Sequence, residues 1–403
     1  MGLKTLYPDF EDALVNELKQ LQVMEIDAGM EIPMHGKIAT HIPLGVEGSV
    51  RVFGRDDSGH EADLYEVKPG VACIVSFTSA MNDSPAITYA KAKQKSKIIP
   101  IPKELSNLWF IKYPSWRHYI IGLYQNRLDE LVRQNERVVA QKAMIEIQKN
   151  QIIQSINYAR NIQKAVLPVE NQLKEFFADY FILYLPKDIV SGDFYWTYNQ
   201  NDRVFFAAAD ATGHGVPGAF MTMLGISLMN EICNNFNGNA SDFLNTMRYK
   251  TKEALKQTSF DSGPRDGFDI QLCIFHTRQG IVEYAGANNN LLLSRNNQIM
   301  EFNADRMPVG VAYKEEKPFT NHSISVQDND IFYLFSDGYK DQFGGPEQQK
   351  FSKKRFYNLL SQVSPKPLAE QKEILEKHFN EWKGSNTQVD DVLVLGIKIR
   401  AKD

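Results

Sequence analysis

The sequence predicts a multi-domain protein: a β-rich N-terminal region, a long helical connection, and a C-terminal α+β sandwich of two antiparallel sheets flanked by helices. Three observations point there. At 403 residues the chain is too long for one ordinary domain. No proline or turn cluster falls between Pro114 and Pro168, so a helix can run through that whole stretch. Beyond it, strand-like and helix-like segments alternate to the end, without the regular βαβ crossovers of a parallel sheet.

Residues 22–102 carry short β-like runs separated by glycine. "SVRVFGRDDSGHEADLYEV" alternates apolar and polar residues on either side of "GRDDSGH", the pattern of a hairpin. "PGVACIVSF", "PAITYAKA" and "KSKIIPIP" predict further strands, and from about Ser106 the pattern turns helical.

Counting heptads from Tyr124, one seam position is filled by Tyr124, Leu131, Val138, Ile145, Ile152, Ala159 and Val166, all apolar. The companion seam holds Leu128, Asn135, Lys142, Lys149, Ile156 and Gln163, of which only Leu128 and Ile156 are apolar. A helix of about 45 residues spans roughly 65–70 Å and cannot bury such a stripe against itself, so a parallel dimeric coiled coil is its natural use. An amphipathic helix packed on the protein's own domains is the alternative. The expected divisions are 1–120, 121–167 and 168–403.

A formal net charge of −4 gives no reason to expect nucleic acid as a partner. No apolar run reaches the roughly 20 residues of a membrane helix, and the N-terminus lacks the layout of a signal peptide. Three widely spaced cysteines, Cys73, Cys233 and Cys273, suit a reducing cytoplasm better than a disulfide framework.

In the C-terminal region, "YFILYLP", "RVFFAAAD", "FDIQLCIFH", "GIVEYAG", "NLLLSRN", "DIFYLFSD" and "DVLVLGIKI" predict strands. "GAFMTMLGISLMNEICNNF", "SDFLNTMRYKTKEALKQ", "KKRFYNLLSQV" and "LAEQKEILEKHFNEWK" predict helices. The chemistry lies in where aspartates sit. Asp210 ends one strand, Asp337 ends another, Asp390 and Asp391 open the last, and Asp193 lies in "DIVSGDFYW". An aspartate ending a buried strand is poorly solvated and needs a partner, and no matching set of Arg or Lys lies beside these positions. A shared cation is the best explanation, and an oxygen-only ligand set favours Mg²⁺ or Mn²⁺ over zinc. A single aspartate at a strand end is more often a turn former or cap, and Asp202, Asp328 and Asp330 read that way. "GHGVPG", around His214, lacks the Lys-Ser/Thr of a P-loop and the spacing of a dinucleotide fold. His214 itself has no assigned role.

Taken in order, "VSGDFYW", "ADATGHGVPGAFMTMLG", "DGFDIQLCIF", "YAGANNNLLLSRN", "RMPVGV", "FSDGYKDQFGG" and "QVDDVLVLGI" resemble the SpoIIE-like branch of the metal-dependent (PPM, type-2C) serine/threonine phosphatases. The resemblance covers roughly residues 168–400. It implies two packed antiparallel sheets flanked by helices, with two Mn²⁺ or Mg²⁺ ions at one end. Asp193 and Asp210 then match the central metal ligands, Asp210 bridging both ions; Asp337 and Asp390 match the remaining carboxylate ligands. Ala211 stands where the family often has glycine and offers its backbone carbonyl. Asp391 stands behind these ligands, where relatives often carry Asn. The implied chemistry is attack of metal-bound water on a phosphoserine or phosphothreonine of a protein, an anti-sigma antagonist of the STAS type among the candidates.

"GSVRVFGRDDSGHEADLYEVKPGVACIVSF" resembles the β-roll of the cyclic-nucleotide-binding superfamily, as in Crp/Fnr regulators. A nucleotide-binding cassette has Glu soon after its glycine and a later Arg for the phosphate. Here Val71 and Ala72 follow Gly70, and no Arg occurs between Val71 and Pro114, so cAMP and cGMP are expected to bind weakly or not at all. The expectation is a cytoplasmic, homodimeric signalling phosphatase whose N-terminal region acts through the helical linker. The alternatives are a catalytically silent phosphatase-like scaffold and a cyclic-nucleotide effector protein.

Overall fold

The computed structural model describes residues 2–258, 265–313 and 317–399. The chain divides into two compact units, residues 1–146 and 147–403.

The first unit contains helices α1 (Leu3–Leu6) and α2 (Asp12–Leu18), then strands β1 (Met24–Ile26), β2 (Glu31–Ile32), β3 (His41–Glu47), β4 (Val50–Arg55) and β5 (Glu61–Val67). Helix α3 (Ile74–Asn82), strands β6 (Tyr89–Ala92) and β7 (Ser96–Pro102), and helix α4 (Lys103–Lys112) follow, and helix α5 (Pro114–Val166) runs across the division at residue 146. The strands form two sheets, ordered β1-β7-β3 and β2-β6-β4-β5. Ile26, Val50, Val52, Val67 and Ile98, contributed by both sheets, cluster in one small core, giving the expected roll. The hairpin is β4–β5, its turn held by the Asp56 carboxylate, which accepts from the backbone N–H groups of Ser58 and His60. A larger core joins α2 to the start of α5 through Leu14, Leu18, Trp109 and Trp116.

One expected strand is a helix. "PGVACIVSF" leads into α3, where Cys73 is the N-cap and its sulfur accepts from the Ser76 N–H at 3.4 Å. Ser76, Phe77, Ser79 and Ala80 are the buried residues of α3, spaced as on one helix face. A short apolar run has no period long enough to separate helix from strand, and this cap decides it.

The second unit continues with α6 (Glu170–Phe176) and strands β8 (Asp179–Leu185), β9 (Asp193–Gln200) and β10 (Arg203–Ala211). Helices α7 (Gly215–Cys233) and α8 (Ala240–Ala254) come next, then β11 (Phe268–His276), β12 (Ile281–Ala287), β13 (Leu291–Arg295), β14 (Gln298–Phe302), β15 (His322–Ser325) and β16 (Ile331–Phe335). The chain closes with α9 (Gly338–Asp341), β17 (Phe343–Gly344), β18 (Gln349–Lys350), α10 (Lys353–Val363), α11 (Leu368–Lys383) and β19 (Val392–Lys398).

Two five-stranded sheets, β15-β12-β11-β10-β9 and β14-β13-β16-β19-β8, are antiparallel throughout. Alternation along β10 explains its unbroken apolar run. Val204, Phe206 and Ala208 enter a core shared with Phe332, Leu334, Leu393 and Leu395 of the other sheet. Phe205, Ala207 and Ala209 enter a second core with Met229, Phe243 and Met247 of α7 and α8. On the opposite side, α10 and α11 cover the second sheet through Phe356, Leu360 and Phe379. The result is the expected sandwich of helices, sheet, sheet and helices. Among the described helices, only α7 is long and apolar enough to cross a membrane, and half of its apolar window is buried in the sandwich.

Candidate active site

The alternation that buries β10 also aims its last carboxylate. Residues 204, 206 and 208 face the second sheet, so Asp210 continues the same row toward the mouth between the sheets. Its cross-strand partners are Asp193 on β9 and Asp269 on β11. Three aspartates therefore stand side by side across three adjacent strands. Like charges placed directly opposite one another destabilise a sheet, so this row has no structural reason to exist by itself.

The second sheet brings further acids to the same end. Asp337 follows β16, and Asp390 and Asp391 precede β19. Burial, and then the neighbouring charge of Asp210, raise the carboxyl of Asp193 well above the usual range. For Asp210 burial comes first, followed by Asp337, Asp269, Asp390 and Asp391. Burial pushes Asp269 up to about 6, with Asp337 adding to the shift and the Asn288 amide opposing it. Asp337 is raised mainly by burial, and the ammonium of Lys340 partly offsets this. Lys340 acts on Asp337 and Asp269 but not among the main influences on Asp193 or Asp210.

The backbone here is tightly held. Asp193 accepts a hydrogen bond from Ser336 Oγ at 2.5 Å. Asp391 spends both carboxylate oxygens on backbone donors, Lys187 N–H and Gly192 N–H, each at 2.7 Å. It braces the loop before Asp193. A Cβ on Gly192 would meet the Gly213 carbonyl at 2.4 Å and the Ala211 carbonyl at 3.2 Å, so only glycine lets the two loops touch. That contact also places the Ala211 carbonyl on the Asp193 side of the loop. Gly213 and Gly215 have φ of +87° and +63°, turning the chain from β10 into α7. The glycines of "GHGVPG" thus serve close packing and a sharp turn.

His214 has a partner. Its Nδ1 lies 2.8 Å from Asp188 Oδ2, and both side chains are about half exposed (48% each). Asp330, expected to form a turn, is fully buried in a two-pronged pair with Arg295 at 2.9 and 2.6 Å. It also accepts from Gln327 N–H, so the turn role holds as well.

Asp269 is the acid that sequence reasoning missed. Its signal was a carboxylate at the second position of an otherwise apolar strand, "FDIQLCIFH". Among the described residues, no three His, Cys, Asp or Glu side chains form a ready-made cation cage. The donor set nevertheless fits a hard divalent cation. It consists of carboxylate oxygens and a carbonyl, it is poorly solvated, and its two most perturbed members have no hydrogen-bonded base.

The family described as Stage II sporulation protein E (SpoIIE) matches residues 200–400. The structure of the SiaA PP2C domain of Pseudomonas aeruginosa is similar at 29% identity and a TM-score of 0.57, covering 62% of this chain and 98% of that one. The phosphatase domain and regulatory fragment of SpoIIE from Bacillus subtilis is similar at 16% identity and a TM-score of 0.46, covering 56% and 62% of the respective chains. The catabolite activator protein of Thermus thermophilus is similar at 20% identity and a TM-score of 0.29, covering 44% and 74%. The last two scores are too low to argue from. No curated protein sequence matches the chain.

Proposed function

We propose that this chain, which belongs to the SpoIIE-type PP2C phosphatases, hydrolyses phosphoserine or phosphothreonine on a partner protein at the acid cluster between its two sheets. The observation that carries this reading is the row Asp193–Asp210–Asp269, set in register and facing the acids of the second sheet.

Asp193, Asp210, Asp337 and Asp390, with the Ala211 carbonyl, would hold two Mn²⁺ or Mg²⁺ ions. Asp210 is the candidate bridge, because acids of both sheets influence it. We add Asp269 as a further candidate ligand. When bound, such ions neutralise phosphoryl charge and make water nucleophilic near neutral pH. Asp391 keeps the Gly192 backbone, and with it Asp193, in place. Ser336 orients one Asp193 oxygen through its hydroxyl.

The phosphoprotein substrate belongs to a signalling system in the cytoplasm, with an anti-sigma antagonist of the STAS type as the leading class. The N-terminal roll supplies the regulatory input, and α5 joins two copies into a homodimer. Leu131, Val138, Ile145 and Ile152 support pairing: they recur at heptad spacing and are 46–62% exposed.

The test is hydrolysis of a phosphoserine peptide by the full chain with Mn²⁺ or with chelator. Hydrolysis should require the metal, and Asp210→Asn should lower it at least about 100-fold. Undiminished activity in chelator or in Asp210→Asn would overturn the assignment. Sedimentation should show a dimer that Ile145→Lys dissociates; a wild-type monomer would remove α5 as the pairing element.

A further inference from the structure

The polar seam of α5 contains one residue that a coiled coil does not explain. Gln163 is buried, only 4% exposed, three residues before the helix ends. Its amide makes two hydrogen bonds to the backbone of one distant residue, on either side of its Cα. Nε2 donates to the Ser191 carbonyl at 2.6 Å, and Oε1 accepts from the Ser191 N–H at 3.1 Å. Ser191 lies 28 positions away, two residues before Asp193.

The segment Ser191–Gly192–Asp193 is held from four directions. Thr222 of α7 donates its hydroxyl to the Ser191 and Gly192 carbonyls at 3.1 and 2.8 Å. Asp391, next to β19, accepts from Gly192 N–H at 2.7 Å. Ala211 at the end of β10 donates its N–H to the Gly192 carbonyl at 3.2 Å. The Ser191 hydroxyl accepts from Asp193 N–H at 3.0 Å. Of these anchors, Thr222, Asp391 and Ala211 belong to the sandwich's own strands, loops and helix layer. Gln163 alone comes from the long helix.

We propose that Gln163 is a positioning residue that couples the place of α5 to the geometry of the acid cluster. A buried glutamine whose donor and acceptor are matched to the carbonyl and the N–H of one residue fixes that residue's backbone on both sides of its Cα. Sliding or turning the last turns of α5 withdraws both bonds together. It leaves a buried Ser191 N–H without a partner and the Ser191 carbonyl with one donor fewer, which the low-dielectric interior penalises. The Ser191 hydroxyl accepts from the Asp193 N–H, so a displacement of Ser191 reaches Asp193. Asp193 faces Asp210 directly across the β9–β10 ladder, so its position sets the spacing of the central donors. Any input that moves α5 therefore alters how well the acids hold their ions. This inference rests on the metal-dependent reading of the cluster.

The experiment compares the full-length protein with Gln163→Ala, and with Gln163→Met, which keeps volume and removes both hydrogen-bonding groups. Mn²⁺ binding is measured by calorimetry, phosphoserine-peptide hydrolysis by initial rates, and unfolding by circular dichroism. Both variants should bind Mn²⁺ at least about 10-fold more weakly, the range found when supporting partners of metal ligands are removed. The fall in kcat/KM should be partly restored by raising Mn²⁺, at temperatures well below melting. Thr222→Val combined with Gln163→Met should be non-additive, since both act on the Ser191 carbonyl. Variants that melt earlier but bind Mn²⁺ and turn over as wild type would reduce Gln163 to a packing role and overturn the proposal. If Gln163→Ala fails to fold, Gln163→Met decides alone. A wild-type protein that binds no Mn²⁺ and hydrolyses nothing would instead overturn the phosphatase reading, a result distinguishable from the first.

Discussion

Glu17 in the first unit is a partly exposed carboxylate and Asp193 in the second a buried one, and their surroundings move them in opposite directions. Glu17 accepts from Lys112 Nζ at 2.7 Å, from the Tyr113 hydroxyl at 2.6 Å and from Trp109 Nε1. The Lys112 bond first, then Tyr113 and Trp109, hold its carboxyl down at about 2. Asp193 has one hydroxyl donor, a like charge across the strand pair and no base, and its carboxyl is raised. The first arrangement ties α2 to α4 and the start of α5 and satisfies itself. The second has no base among the main influences on its carboxyl. Acids with partners are structural; buried acids facing one another mark a site.

The sharpest way to break this contrast is to remove one charge from each unit. Asp193→Asn should lower Mn²⁺-dependent hydrolysis at least about 100-fold while raising the melting temperature of the chelated protein, because it relieves repulsion across β9 and β10. A fall in melting temperature would mean that Asp193 is structural after all. Gly192→Ala should cost about 1–3 kcal/mol in urea unfolding and most of the activity, since its Cβ must push back the Gly213 carbonyl. Glu17→Gln should destabilise the first unit by about 1–2 kcal/mol in thermal unfolding. It should leave the Mn²⁺ affinity of the second unit unchanged.

The two units should also respond to acid with opposite signs. Glu17 is lowered to about 2 from its ordinary 4.5, so its contribution is present above 4.5 and is lost as pH falls toward 2. Asp193 and Asp210 are raised from 3.8, so the folded state keeps protons that the unfolded state releases. In chelator, their contribution is therefore present below 3.8 and eroded as pH rises. Melting of the second unit should fall as pH rises above 3.8 in chelator, and Asp193→Asn should flatten that slope. The smallest effect belongs to His214→Ala, which removes a half-exposed pair with Asp188 and should shift stability by less than about 0.5 kcal/mol.

Much of this architecture was legible in the sequence because it is local. Apolar alternation and helical periodicity located the hairpin, the long helix, and the strands and covering helices expected in the sandwich. Among the C-terminal strands, β9, β14, β15, β17 and β18 carry no apolar run that marks them as separate elements: β14 and β15 are only five and four residues long, β17 and β18 two each, and β9 is half polar. The "PGVACIVSF" run was misread because its length is too short for a period to show and its cap is a cysteine.

By itself, the sequence determined which apolar runs form the buried strands of the sandwich, because burial there follows from the period of apolar side chains along one element. It also determined that several acids would sit at the ends of apolar strands. Only the tertiary structure decided which of those acids face one another, because that depends on register between strands far apart in the chain. It drew Asp269 into the row with Asp210, and it committed Asp391 to a backbone N–H 199 positions away. It gave His214 its partner, and it turned Gln163 from a flaw in a heptad seam into the clamp on Ser191. Periodicity is a property of one element at a time, whereas a site made of opposed charges exists only where several elements meet.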